Sequence, residues 1–178
     1  IATRDYVDSV AQGLHVHGPC RSATTTYIGS LAGTTVTYDS GNKSITWTGG
    51  KALTSNNFND SLTGFTVSTT ESSADRILLK NEGDVGGLGA QYNGTYYCYG
   101  SRELRRTTDA DTAAEFAGGD FTFITSGTVY AATGWVQINK VTTLDTNPIT
   151  WQQFSGSGTY KADGTTIQLS GDTFSIKS

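Results

Sequence analysis

The chain's two histidines lie two residues apart in the stretch GLHVHGP, Gly13 to Pro19. In extended backbone successive side chains alternate faces, so His15 and His17 would point the same way. Two imidazoles are too few for a transition-metal site, which draws three or four protein ligands. Either further ligands come from elsewhere, or both are ordinary side chains at a junction, one packing and the other bonding to backbone.

Other residue types capable of chemistry are sparse. Asp109, Asp111 and Glu115 form the densest acidic cluster. Glycoside hydrolysis would need two such carboxyls across a cleft, but acidic residues here have a sufficient local role at a helix start. The same stretch lacks the glycine of a calcium loop. No Gly-x-Ser-x-Gly elbow marks a nucleophile. Gly86, Gly87 and Gly89 lack the lysine and helix of a phosphate cradle, so DVGGLGAQYNG reads as a hairpin tip, the kind of loop that often carries binding. Tyr92, Tyr97, Tyr99, Trp47 and Trp135 are the aromatic residues that could stack on a sugar. Alternation puts Tyr97 and Tyr99 on one face of a strand and Tyr96 and Cys98 on the other, so one pair must be core. Trp135 and Trp151 sit in apolar strand patterns and read as core. Cys20 and Cys98 could form one disulfide; the preferred reading is two buried free thiols.

The elements that would position these residues follow from composition and period. The 178 residues suffice for one domain with a sizeable core. Hydrophobic residues make up 35%, supplemented by 22 glycines; the chain relies on Thr, Tyr and Gly, a strand-and-turn composition. The net charge is −4 and no basic cluster stands clear of acidic neighbours, which argues against nucleic acid as a partner. No apolar run is long enough for a membrane span. The start at Ile1 and the absence of Met read as a piece of a longer chain. Tyr6, Val7, Val10 and Leu14 have helical spacing, and Val7, Val10 and Leu14 follow the three–four seam of a coiled coil. A helix of about three turns is marginal alone in water. From Pro19 the period becomes two: SATTTYIGS, TTVTYDS, KSITWTGG, FTVSTT, DRILLKN, GTYYCYG, DFTFITSG, GWVQINK and ITWQQFS read as strands, with DSGN as a hairpin connection. DADTAAEFAGG reads as a short helix capped by Asp109 or Asp111. The last segment carries two alternating strands around Ile167, Leu169, Phe174 and Ile176, a hairpin that also needs a surface to dock on. The expected fold is mostly β: an antiparallel sandwich or barrel over 19–157, preceded by a helix and His-x-His linker over 1–18 and followed by a hairpin over 158–178.

In this order, IATRDYVDSVAQGLHVH, DRILLKN, NGTYY, RTTDADTAAEFAGGDFTFITSGT, TGWVQI and ITWQQFSGSGTYKADGTTIQLSGDTFSIK resemble a recurrent module of tailed-bacteriophage tail fibres, most of all those of cyanophages and phages of other Gram-negative hosts. The resemblance implies a homotrimeric, elongated virion component, assembled in the host cytoplasm. Its partners would be other tail-fibre or baseplate proteins, and the host glycan or outer-membrane protein it helps to reach, without membrane insertion. It implies a structural and adhesive role rather than catalysis, with carbohydrate binding through Tyr92, Tyr97 and Tyr99 as the alternative and polysaccharide depolymerisation a distant third. In a trimer, Val7, Val10, Leu14, Ile167 and Leu169 would meet their copies. The Gly-x-His-x-His string is similar to one that holds iron at the axis of some phage fibre tips. Carried over to His15 and His17 it gives six imidazoles about a three-fold axis, a set suited to Fe or Ni. Those fibres repeat the string, whereas here it occurs once.

Overall fold

The computed structural model describes residues 16–60 and 62–156, together with the backbone of 167–170 and 173–176. Thr- and aromatic-rich runs separated by Gly, Asn and Asp turns form its strands, as β-branched and aromatic side chains suit a pleated surface. The strands are β1 (Ser22–Ala23), β2 (Val36–Asp39), β3 (Ser44–Trp47), β4 (Arg76–Leu79), β5 (Gly94–Gly100), β6 (Glu103–Arg106), β7 (Phe121–Ile124), β8 (Thr133–Gln137), β9 (Trp151–Ser155), β10 (Ile167–Ser170) and β11 (Thr173–Ile176). One short helix, α1, spans Ile28–Ala32. The chain is mostly β. A six-stranded sheet runs in the order β1-β4-β5-β6-β3-β2, a three-stranded sheet in the order β7-β8-β9, and β10 pairs with β11. Among the described residues both larger sheets are open.

Two cores flank the larger sheet. Ile28 and Ala32 of α1 join Ile45, Leu53, Phe58, Ile77, Leu79, Tyr96, Cys98 and Leu104 in the first. Cys20, Ala23, Leu78, Phe116, Ile124, Trp135 and Trp151 form the second. Strand β4 explains its own sequence: Ile77 and Leu79 face one core and Leu78 the other. An unbroken apolar run, rather than alternation, is what a strand covered on both faces requires. Each fully buried Ile or Leu here contributes roughly 1.5–3 kcal/mol. The segment leading into β1 laces the sheets together. Val16 bridges Phe121 and Cys20 bridges Ile124, both in parallel, before Ser22 and Ala23 pair with Ile77 and Leu78.

Three local expectations are corrected. YIGS is helical, not extended: Gly33 closes α1 at φ 68, and the distant Glu82 carboxylate accepts the Ile28 amide at 2.7 Å, supplying the N-terminal cap that the local sequence lacks. FTVSTT joins no sheet; isolated backbone bonds hold it, Phe65 to Leu53 and Ser68 to Cys98. DADTAAE contains only a 3₁₀ turn, Ala113–Glu115, and its cap is Thr112 in a reciprocal box with Glu115 rather than Asp109 or Asp111. Strand β6, ELRR, is a further element the sequence reading passed over. The DSGN hairpin between β2 and β3 forms as expected, and β10 pairs antiparallel with β11, Leu169 opposite Phe174. The N-terminal helix expected through Val7, Val10 and Leu14 lies outside the described residues, as does His15.

Candidate functional site

The second core covers only part of its sheet face. Beyond its edge lies a cross-strand row in which Arg76 of β4 stands opposite Tyr97 of β5, and Tyr97 opposite Arg105 of β6. Alternation sets this row: Tyr96 and Cys98 are fully buried, so Tyr97 and Tyr99 take the other face and are partly exposed. Their rings meet edge-on at 6.1 Å. The Arg105 guanidinium lies 3.4 Å from the centre of the Tyr99 ring, held by its Nε donating to Glu103 at 2.7 Å. Arg105 therefore covers one face of Tyr99. Burial raises the Tyr97 hydroxyl above its ordinary value, Arg105 partly opposing it. A depression of about 520 Å³ lined by Thr70, Glu71, Ser72, Ala74, Arg76 and Thr108 adjoins the row.

Arg76 connects this surface to the interior. Its Nη2 donates to Asp109 at 2.6 Å and its Nη1 to Glu71 at 3.2 Å. Asp109 also accepts the Gly18 amide at 2.7 Å. A Cβ on Gly18 would stand 2.8 Å from Arg76 Nη1, so a larger residue there would push the guanidinium aside. Burial alone would raise the Asp109 carboxyl, but hydrogen bonds from Thr107, Gly18 and Arg76 outweigh it and hold the group below the usual carboxylate range.

His17 lies beneath this network, 2% exposed. Its ring packs against Phe116 at 5.7 Å and Trp151 at 5.9 Å. Nδ1 is 4.0 Å from Asp109, and the buried Nε2 has no hydrogen-bond partner. Burial pushes its pKa below the ordinary value; Asp109 and Asp120 pull it upward without cancelling that effect. An imidazole walled in by its own subunit's Phe116 and Trp151 does not fit an axial metal site. Among the described residues no group of three or more His, Cys, Asp or Glu could hold a metal ion.

The remaining candidates separate. Tyr92 is not with Tyr97 and Tyr99; its ring is 4.3 Å from Tyr38, beside a buried polar group. There Arg106 donates to the Asn93 and Gln91 carbonyls, the Tyr38 hydroxyl and Asp145. Trp47, Trp135 and Trp151 are buried. Asp111 pairs with Lys43 at 3.4 Å, and Glu115 accepts the Asp111 and Thr112 amides, so the acidic cluster is spent on local structure. Cys20 and Cys98 are both free and buried. The Arg–Tyr–Arg row escaped sequence reasoning because it depends on register between three strands. No protein-family model, curated protein or solved structure matches the chain. Among the described residues no helix is long and apolar enough to cross a membrane.

Proposed function

We propose that this chain is a structural and adhesive module of a phage tail fibre. In this reading its two sheets pack as a sandwich, three copies share one axis, and the body carries or forms the receptor-facing part of the virion. The resemblance in sequence motifs motivates the reading, and the path of the chain through the three-stranded sheet carries it. The incoming strand runs parallel to β7 from Val16 beside Phe121. Strand β9 is antiparallel to β8, hence parallel to β7, and ends with Ser155 opposite Gly134. The described chain thus enters and leaves this sheet running in one direction, offset by about 7 Å along the strands at roughly 3.3 Å per residue and by three strand spacings, about 14 Å, across them. Bodies threaded this way extend a fibre instead of folding back on it. Sedimentation equilibrium of the full chain is expected to give three times 18.8 kDa; a monomer at every concentration would count against the reading.

The Arg76–Tyr97–Arg105 row favours a second reading, a carbohydrate-binding face. It sets a partly exposed aromatic ring between two guanidinium groups and beside a polar depression, and aromatic rings stack on sugar faces. Tyr97→Ala should abolish binding of host lipopolysaccharide oligosaccharide in calorimetry and leave the melting temperature unchanged. Wild-type protein that binds no host glycan would remove this reading.

A further inference from the structure

Two guanidinium groups flank Tyr97, yet neither carries an unpaired charge. Arg105 Nε donates to Glu103 at 2.7 Å, and its guanidinium lies over the Tyr99 ring. Arg76 is shared between two carboxylates, with Nη1 on Glu71 at 3.2 Å and Nη2 on Asp109 at 2.6 Å. Around Tyr97 the two positive charges of Arg76 and Arg105 therefore meet the three negative ones of Glu71, Glu103 and Asp109. The neighbouring Arg21–Asp75 and Lys43–Asp111 pairs are each neutral. A ligand carboxylate or phosphate would have to displace one of these partners, against the repulsion of the carboxylate it evicts and of those that remain.

The depression beside the row offers a different chemistry. The 3₁₀ turn Glu71–Ser73 packs on β5 and sets Glu71 in the wall between Thr70 and Ser72, near Thr108. Thr70, Ser72 and Thr108 are exposed, so three hydroxyl groups border a space of about 520 Å³. The Glu71 carboxylate is fixed through both oxygens: Oε1 accepts Arg76 Nη1 at 3.2 Å and Oε2 accepts the Thr108 amide at 3.1 Å. An ionised carboxylate has about four acceptor sites, so each oxygen keeps a lone pair after these bonds. Two adjacent hydroxyls of a sugar ring can each donate to one oxygen of a carboxylate held in this way, in hydrogen bonds strengthened by its charge. Tyr97 lies within electrostatic reach of Glu71, and its partly exposed ring gives the apolar side of the same sugar a surface to lie on.

We infer that the depression beside Tyr97 takes an uncharged glycan, held by Glu71 through a pair of neighbouring hydroxyls, and rejects acidic saccharides. The inference rests on the carbohydrate-binding reading and names the ligand class of that face. The test is a glycan array carrying neutral hexose oligosaccharides and their uronate- and phosphate-bearing counterparts, probed with the fluorescently labelled full chain. Wild type should be retained on neutral spots only. Glu71→Gln should reduce that retention at least tenfold. Ser72→Trp, which fills the depression without touching the Arg76–Glu71 contact, should do the same with an unchanged circular dichroism spectrum. Glu103→Gln releases Arg105 from its partner and should add acidic spots to the pattern. If wild type binds acidic spots and Tyr97→Ala removes them, the face binds glycan and the ligand class is wrong. If Tyr97→Ala abolishes neutral binding while Glu71→Gln and Ser72→Trp leave it intact, the depression is not the site, and the carbohydrate reading stands. A wild type retained on no spot defeats both.

Discussion

Asp109 stands 2.6 Å from Arg76 Nη2 and accepts the Gly18 amide at 2.7 Å, so one carboxylate ties the incoming segment to strand β4 of the larger sheet. The Gly18 contact joins residues 91 apart in sequence. Asp109→Asn replaces an ionised acceptor by an amide whose NH₂ must face either Arg76 or Gly18. Hydrogen bonds to charged groups are worth roughly 1.5–3 kcal/mol, and Asp109 is a third exposed, which screens part of that. A loss of about 2 kcal/mol in urea unfolding is expected; a change within about 0.5 kcal/mol, as at an indifferent surface position, would deny it this anchoring role.

His17 should make stability depend on pH. Its folded pKa lies below the ordinary 6.5, so between the two values the unfolded chain binds the extra proton. Stability is then fully present above the unfolded value and falls as pH drops toward the folded one. His17→Phe fills the same space between Phe116 and Trp151 and removes the unpartnered Nε2. Its melting temperature relative to wild type should rise as pH falls from about 7.5 to about 5.5. Glu82, whose pKa burial raises, acts with the opposite sign, but it is common to both proteins and cancels in the difference. A gap independent of pH would mean that His17 does not titrate in this pocket.

The two thiols should be silent in the native state. Burial pushes Cys20 up to about 11 and raises Cys98 further, and each lies in a different core. The thiolate is the reactive form. A disulfide-exchange reagent is therefore expected to titrate neither cysteine before unfolding and both afterwards; rapid native labelling of either one would contradict this placement.

The sequence made most of the strands legible because period and turn chemistry are local. The Tyr96/Tyr97 alternation and the DSGN hairpin could be read from a few residues. What escaped was set at long range. The start of α1 is capped by Glu82, 54 positions away, and nothing near Tyr27 signals a helix. Phe121 and Phe123 alternate with Thr122 and Ile124, and hydrophobicity alone would send the two phenylalanines inward. The buried set is instead Thr122 and Ile124, because the incoming segment and Trp135 occupy that side. His17 was singled out by its spacing from His15, yet the aromatic wall formed by Phe116 and Trp151 assembles only in three dimensions.

The side chain of Arg106 is completely buried and 3.3 Å from Asp145. Burial would lower its pKa, but Tyr96, Tyr38 and Asp145 more than offset this and the net shift is upward. Every arm of the guanidinium is engaged: Nη1 on Asn93, Nη2 on Gln91 and Asp145, Nε on the Tyr38 hydroxyl. Lysine offers one ammonium on a thinner stem and cannot reach these acceptors together. Removing a member of such a buried network leaves the Asn93 and Gln91 carbonyls unpaired and Asp145 with the Tyr38 hydroxyl in place of the guanidinium, at a cost of about 3–5 kcal/mol. Arg106→Lys should therefore unfold at much lower urea. Gly94→Ala should weaken the same site from the other side. Gly94 sits at φ +143, and a Cβ there would stand 2.6 Å from Arg106 Nη1, so alanine both strains the backbone and displaces the guanidinium. If both variants act on one network, their double variant should cost less than the sum of the singles; strict additivity would show that Gly94 is required for its backbone alone.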